Sequence, residues 1–215
     1  LDRCGFGPPS ADGWRALVGE EFTFPNVRAV TQAVADYLKR HRVPNRPLRV
    51  IVGYDTRPLG DRFAFAVAEV FAGNRFEVLL TQEPMPTPAV SFAIRKWSLQ
   101  GGIVVTASHN PFTYNGLKFK PHYAGPAEPQ MTQWIEKRLF KESVHRLALE
   151  EGLRRKVIRW VDLKPLYLDF LHRYVDWPLL RKARFRGGYD SMKVAGQDLL
   201  KKVLESSASQ VIPVE

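Results

Sequence analysis

Ser108 is the residue around which the sequence places groups that could handle a phosphoryl group. A serine hydroxyl becomes a nucleophile when a base removes its proton or when its surroundings favour the alkoxide. His109 is adjacent to Ser108, and Lys118 lies ten positions further along the chain. A cation at that distance would attract a phosphate, and an amine can exchange a proton with a substrate hydroxyl. These residue types are compatible with a nucleophilic Ser108 beside a bound phosphate.

Further hydrogen-bond donors surround the serine. The side chains of Thr106 and Asn110, together with backbone N–H groups, could bind phosphate oxygens. Asn115-Gly116 is a strong tight-turn signal, so we expect the chain to reverse there and bring Lys118 near Ser108.

An unreactive polar turn is the alternative interpretation of the same residues, because Ser, Asn and Pro are all common turn formers. Other catalytic templates are absent from the sequence. It has no Gly-x-Ser-x-Gly elbow, no phosphate loop ending in Gly-Lys-Ser/Thr and no His-Glu-x-x-His helix. Its 5 histidines are dispersed and show no metal-ligand spacing. From the residue types alone, both interpretations stay open.

The elements that must position Ser108 follow an alternating pattern. Apolar spacing predicts helices at residues 25–40, 60–72, 89–97, 129–140, 163–177 and 197–204. Short apolar runs predict strands at residues 49–55, 76–80, 103–105, 117–120, 157–161 and 211–214. We interpret residues 141–156 as a connector and residues 187–190 as a turn.

Strands that alternate with helices of this length indicate an α/β fold with a mainly parallel sheet. In such sheets, ligands bind beyond the carboxyl ends of the strands. Residues 106–116 directly follow the predicted strand at 103–105, which gives this loop a position suited to binding.

Composition and charge limit the class of protein. The chain has 215 residues, 45% of them hydrophobic and 25% charged, which is ordinary for a soluble globular protein. It has no apolar run long enough to span a bilayer, no secretory signal pattern and a single cysteine, Cys4, so we expect a cytoplasmic protein without a membrane partner.

The formal net charge of +10 implies an affinity for anions. The basic residues are scattered, however, and the longest cluster is Arg154-Arg155-Lys156. No aromatic and basic motif of a nucleic-acid module is present, so a solvated basic surface is favoured over nucleic-acid binding.

Two motifs in the reactive segment resemble a known family. Thr106-Ala107-Ser108-His109-Asn110-Pro111, followed by Tyr114-Asn115-Gly116-Leu117-Lys118, is similar to the phosphoserine signature of the α-D-phosphohexomutases. Further similarity occurs in Gly13-Trp14-Arg15-Ala16, in Gly53-Tyr54-Asp55-Thr56-Arg57 and in Pro86-Thr87-Pro88. The resemblance covers residues 5–161 and continues more weakly to residue 215.

The resemblance implies a phosphoserine mechanism. Ser108 would carry the phosphoryl group, pass it to a hexose monophosphate and recover the other phosphate from the bisphosphorylated intermediate. Lys118 would be the general acid/base, His109 would orient the site and Arg15 would help to hold the phosphoserine. Mg²⁺ would bind an oxygen of the Ser108 phosphate. Thr106, Asn110 and Asn115 complete the predicted binding residues. Arg57 is as compatible with holding Asp55 in place as with a role in the site.

The resemblance also implies an architecture. It predicts a three-layer αβα domain with a mainly parallel mixed sheet at residues 1–161, and the incomplete beginning of a second, similar α/β domain at residues 162–215. The Asp-Gly-Asp-x-Asp-Arg magnesium segment of the family and its later sugar-binding loops have no counterpart here. We therefore expect the remaining domains of a longer enzyme as partners and little activity from this chain alone.

A further departure from the family pattern lies near the start of the sequence. Residues 7–13 replace a compact turn that lines the family's phosphoserine pocket, which weakens the expected placement of Arg15. A phosphosugar-binding module without catalysis is the main alternative, and a nucleic-acid-binding protein is a third, argued from charge alone. The sequence does not indicate which hexose phosphate is preferred.

Overall fold

The computed structural model describes residues 13–182, 186–204 and 210–213. Its strands are β1 (Trp14–Leu17), β2 (Arg49–Tyr54), β3 (Glu77–Thr81), β4 (Gly101–Val105), β5 (Tyr114–Pro121), β6 (Ile158–Val161), β7 (Arg186–Tyr189) and β8 (Gln210–Pro213). Its helices are α1 (Phe24–Arg40), α2 (Gly60–Gly73), α3 (Thr87–Lys96), α4 (Pro129–Glu136), α5 (Leu149–Arg154), α6 (Lys164–Tyr174), α7 (Trp177–Lys182) and α8 (Gln197–Leu204).

The first six strands form one mixed sheet in the order β1-β5-β4-β2-β3-β6. The strands β4, β2, β3 and β6 run parallel to one another, whereas β5 is antiparallel to both β4 and β1. The carboxyl ends of the four parallel strands therefore lie at one edge of the sheet. β7 and β8 form a separate parallel pair.

Helices cover both faces of the six-stranded sheet. On one face, α1 and α2 pack against Val52, Leu80 and Ile103 in the larger core. On the other face, α3 packs against Ile51 and Val104, together with Leu163 and Leu199 from the later part of the chain. The predicted three-layer αβα architecture is confirmed.

The helix α1 shows why the sequence pattern predicted this layer well. Val27, Val30, Val34 and Leu38 recur at helical spacing, and all four are buried. The hydroxyl of Thr23 accepts a hydrogen bond from the N–H of Asn26 at 3.4 Å, which caps the first turn.

Several local predictions are wrong. Residues 187–190 were predicted as a turn, but Gly187, Gly188 and Tyr189 belong to β7, where pairing with β8 supplies hydrogen bonds that no local pattern shows. The predicted connector at 141–156 contains α5, and Gly152 of that helix packs closely against Ile158. The helix predicted at 129–140 ends at Glu136. β1 and α7 were not predicted.

Two other expectations concern membrane spans and the domain boundary. Within residues 13–182, 186–204 and 210–213, no helix combines the length and apolarity that crossing a membrane requires. The six-stranded sheet ends at Val161 and β7 begins at Arg186, while the domain division between residues 161 and 162 stays a prediction.

Glu77 links three parallel strands at the edge opposite the carboxyl ends. Its carboxylate accepts hydrogen bonds from Arg49 of β2, at 2.8 and 2.6 Å, and from Arg159 of β6 at 2.9 Å. The hydrogen bonds from Arg49 are the main cause that lowers the pKa of Glu77 below its usual value, and Arg159 adds to the effect.

We expect Glu77→Gln to reduce the free energy of unfolding at pH 7 by about 0.5–1 kcal/mol, because the carboxylate is half exposed and solvent screens the pair. A lowered pKa in the folded state means that this stability is present above the ordinary pKa of 4.5 and is lost as the pH falls through the folded value. Urea unfolding at pH 7 and pH 3 measures the difference. The exposed Glu20→Gln provides the control, and an equal loss for Glu77→Gln at both pH values would contradict the prediction.

Candidate functional site

The reactive loop, residues 106–113, joins β4 to β5 at the carboxyl edge of the sheet. Ala107 is fully buried and anchors the loop, whereas Ser108 and His109 are exposed. Ser108 has a φ of 59°, which is the left-handed region that non-glycine residues rarely adopt. An exposed serine in this conformation requires support from the surrounding structure.

The chain does not reverse at Asn115-Gly116, so the predicted tight turn there is wrong. Both residues lie inside β5, and the reversal takes place in the reactive loop. Gly116 is needed for a different reason: a Cβ atom on it would lie 2.6 Å from the carbonyl oxygens of both Thr106 and Trp14. The glycine permits a close approach of three backbones. The antiparallel return of the chain from the loop, with Lys118 on β5, is nevertheless observed.

Asn115 is completely buried. Its Oδ1 accepts a hydrogen bond from the N–H of Gly116 at 2.8 Å, and its Nδ2 donates to the carbonyl of Pro58 at 3.5 Å. Its amide therefore connects β5 to the turn after β2. This geometry supports a positioning role, and its predicted contact with phosphate stays a prediction.

Thr106 connects the loop to Asp55, which follows β2. The Thr106 hydroxyl donates to Asp55 Oδ2 at 2.5 Å and accepts the N–H of Ser108 at 3.0 Å. The N–H of Asp55 donates to the carbonyl of Val105 at 3.1 Å. The threonine hydroxyl is thus engaged by the protein on both sides and orients the backbone of Ser108.

Arg57 supports the reactive loop through hydrogen bonds to four backbone carbonyls. Its NH1 group donates to the carbonyls of Pro111 and Tyr114 at 2.7 and 3.0 Å. Its NH2 group donates to the carbonyls of Ser108 and Asn110 at 2.8 and 2.6 Å.

The carboxylate of Asp55 holds this arginine in turn. Asp55 Oδ2 lies 3.4 Å from the Nε of Arg57, and Asp55 Oδ1 accepts the backbone N–H of Arg57 at 3.0 Å. The sequence left open whether Arg57 holds Asp55 in place or has a role in the site. The sequence signal was limited to position, because Asp55-Thr56-Arg57 directly follows a predicted strand, where the loops of an α/β sheet bind ligands.

Two predicted cationic residues lie on adjacent strands. Lys118 of β5 is opposite Val104, and Arg15 of β1 is opposite Gly116. Residues opposite one another, and residues two apart along a strand, share a face of the sheet. Arg15 and Lys118 therefore lie on the face that carries Val104, which is the face covered by α3.

The structure thus brings most predicted site residues into one region. Ser108, His109, Asn110 and Thr106 belong to the loop, and β5 and β1 place Lys118 and Arg15 beside it. Asn110 is half-buried, with its N–H donating to the carbonyl of Ala107 at 3.2 Å. The altered segment at residues 7–12 lies outside the described residues, as does Cys4.

Magnesium was predicted to bind the Ser108 phosphate. In the described part of the chain, no group of three or more His, Cys, Asp and Glu side chains is arranged to hold a metal ion. These residues therefore supply no cluster of carboxylates for Mg²⁺, and the predicted contact of Mg²⁺ with the phosphate of Ser108 stays a prediction.

The structure is thus an αβα domain that presents an exposed serine on a loop held by Arg57 at the carboxyl edge of its sheet. Comparisons with known proteins specify it further. The family model described as phosphoglucomutase/phosphomannomutase, alpha/beta/alpha domain I, matches residues 8–146. A phosphoglucomutase of Komagataeibacter xylinus is 30% identical over 94% of this chain and 38% of its own length. A phosphoglucomutase/phosphomannomutase of Thermococcus kodakarensis is 30% identical over 94% of this chain and 43% of its own length.

Solved structures agree with these sequence matches. A Thermus thermophilus protein described as a phosphomannomutase superposes with a TM-score of 0.79 at 31% identity, covering 94% of this chain and 44% of the other. A Burkholderia thailandensis family member has a TM-score of 0.75 at 17% identity, which shows the shared fold. The chain belongs to the α-D-phosphohexomutase family and corresponds to its N-terminal region. It spans less than half the length of these relatives.

We expect Gly116→Ala to destabilise the protein by about 1–3 kcal/mol, because the added methyl group would meet two backbone carbonyls that cannot move independently. Gly196→Ala is the matched control, since a Cβ atom at Gly196 has nothing within 4 Å. Thermal unfolding measures both. A loss for Gly116→Ala no larger than that of the control would show that the three backbones do not constrain this position.

Proposed function

We propose that this chain is the N-terminal catalytic portion of a phosphohexomutase, which interconverts hexose 1-phosphate and hexose 6-phosphate. The observation that supports this most is Ser108 itself. It is exposed in a left-handed conformation on a loop held by Arg57, beside strands that carry Lys118 and Arg15.

The first transfer begins with Ser108 phosphorylated. A free hydroxyl of the hexose monophosphate attacks the phosphorus atom, so that a new O–P bond forms while the bond to Ser108 Oγ breaks. Lys118 takes the hydroxyl proton and returns it to the serine oxygen. The product is a bisphosphorylated hexose and an unmodified serine.

The second transfer runs in reverse with the other phosphate. Ser108 Oγ attacks that phosphorus atom and its hydroxyl proton passes to Lys118. The bond between phosphorus and the sugar oxygen breaks, Lys118 gives the proton to that oxygen, and the phosphoserine is regenerated. Atoms and charges balance over the cycle, because one phosphoryl group leaves the protein and one returns.

The surrounding residues position the phosphoryl group during its transfer. Arg15 and Lys118 place positive charge beside a phosphoserine that carries about two negative charges at neutral pH. His109, adjacent to the reacting oxygen, orients it. Bound Mg²⁺ would neutralise charge on a phosphoserine oxygen, with its further ligands coming from outside the described residues.

A phosphosugar-binding module without catalysis is the second candidate. The observation that favours it is that this chain spans only 38–44% of the relatives' lengths. The remaining domains of a longer enzyme would be the partners that complete the site. A cytoplasmic location and the lack of nucleic-acid binding remain predictions from composition.

Phosphorylation of Ser108 separates the two candidates. We expect the chain to accept a phosphoryl group from glucose 1,6-bisphosphate, which raises the intact mass by about 80 Da, and to lose it on phosphatase treatment. Ser108→Ala should abolish the gain, whereas Ser98→Ala, at a serine outside the reactive loop, should not affect it. An unchanged mass in the wild-type chain would favour the binding module.

We also expect little or no conversion of glucose 1-phosphate to glucose 6-phosphate by the 215-residue chain alone, because its described residues offer few groups to bind the sugar and the metal. A coupled assay with glucose-6-phosphate dehydrogenase measures this. Turnover that depends on Ser108 would show that the chain contains a complete mutase site.

A further inference from the structure

The guanidinium group of Arg57 uses all of its donors in the site. An arginine side chain has five N–H groups in a rigid plane. Four of them donate to the carbonyls of Ser108, Asn110, Pro111 and Tyr114, and the fifth, at Nε, faces the carboxylate of Asp55. The side chain of Arg57 is 12% exposed, so solvent competes little for these bonds.

The hydrogen bonds from Arg57 to these carbonyls fix the direction of the N–H groups that follow them in the chain. In a trans peptide unit, the C=O of one residue and the N–H of the next point in opposite directions. The described chain has no cis peptide bonds. Because the carbonyls of Ser108 and Pro111 point toward Arg57, the N–H groups of His109 and Phe112 point away from it.

These two N–H groups face the exposed side of the loop. His109 and Phe112 are themselves exposed, and within the described residues neither N–H donates a hydrogen bond. Ser108, which precedes His109, has a left-handed φ of 59°. Consecutive amides next to a residue in this conformation can form a concave backbone site for anions. The N–H of Ser108 donates to the Thr106 hydroxyl, so the N–H of His109 is the one that this conformation leaves for an anion.

We propose that Arg57 is a positioning residue that converts the reactive loop into a backbone anion site, in which the amides of His109 and Phe112 bind the phosphoryl group of Ser108. This assignment rests on the proposed function for the identity of the anion. Arg57 contributes twice: it orders the four carbonyls, and its positive charge behind the loop favours a negative group in front of it.

Lysine could not replace Arg57. A lysine ammonium group keeps the charge but has three donors on a compact centre, so it cannot reach four carbonyls arranged around a plane. The pair Arg57→Lys and Arg57→Gln therefore separates the contribution of charge from that of geometry. Arg62→Gln is the matched control, because Arg62 is a largely exposed arginine five residues along on α2.

Inorganic phosphate is the probe, added to the ¹⁵N-labelled chain at constant ionic strength, with sodium chloride as the control salt. We expect saturable downfield proton shifts of the His109 and Phe112 amides in the wild-type chain and in Arg62→Gln. Arg57→Gln should lose about tenfold or more in phosphate affinity at these amides, and Arg57→Lys should fall between the two. Thermal unfolding and the amide shifts of the sheet report whether each variant is folded.

Two results would overturn the inference. One is a wild-type chain whose His109 and Phe112 amides do not respond to phosphate. The other is a folded Arg57→Gln with wild-type affinity at these amides. If Arg57→Gln does not fold, the wild-type titration together with Arg57→Lys decides, since the lysine variant keeps the charge and must still bind more weakly.

Failure of the proposed function gives a different pattern. Amides that respond to phosphate in a chain that takes no phosphoryl group from glucose 1,6-bisphosphate would refute the mutase assignment and leave the anion site standing. Conversely, a phosphorylated Ser108 with unchanged His109 and Phe112 amide shifts would refute the anion site alone.

Discussion

The ion pair between Asp55 and Arg57 is the interaction on which the reactive loop depends. Asp55 accepts the hydroxyl of Thr106 and faces the guanidinium group of Arg57, and through these two partners it holds the loop at both its beginning and its end. Four carbonyls gathered in one place, three from the loop and one from the start of β5, would be costly to leave without donors. The arginine satisfies them together, and this allows Ser108 to keep a left-handed conformation that costs an L-residue about 1–2 kcal/mol.

The parallel pairing of β2 with β4 makes this interaction possible. Tyr54 is opposite Val105 in that pair, so the residues that follow each strand emerge side by side. Asp55 and Thr106 are the first residues beyond the two strands. A site assembled from neighbouring loops at the carboxyl edge is typical of α/β sheets, and here it places the supporting charge pair and the reactive serine on different segments.

The close packing at Gly116 is associated with the two cationic residues of the candidate site, Arg15 and Lys118. This glycine lets β1 and the end of β4 approach β5 closely. The register of β1 on β5 then places Arg15 on the same face of the sheet as Lys118. The two cations come from strands that are far apart in sequence, and the strand that carries Lys118 returns directly from the loop. The strand order therefore decides which positive charges lie on the same face of the sheet.

The sequence alone determined the α/β class and most helices and strands, and it singled out Ser108 and its neighbours as the candidate site. These follow from local rules: apolar spacing identifies α1 and β2, and the motif at residues 106–111 is contiguous. Other features depended on contacts between distant residues. The Asn115-Gly116 pair has the composition of a turn, yet pairing with β1 and β4 makes it strand. Only the tertiary structure decided the role of Arg57. Its four acceptors lie 51 to 57 residues away, and they are backbone carbonyls, which every residue has and which a sequence therefore cannot distinguish.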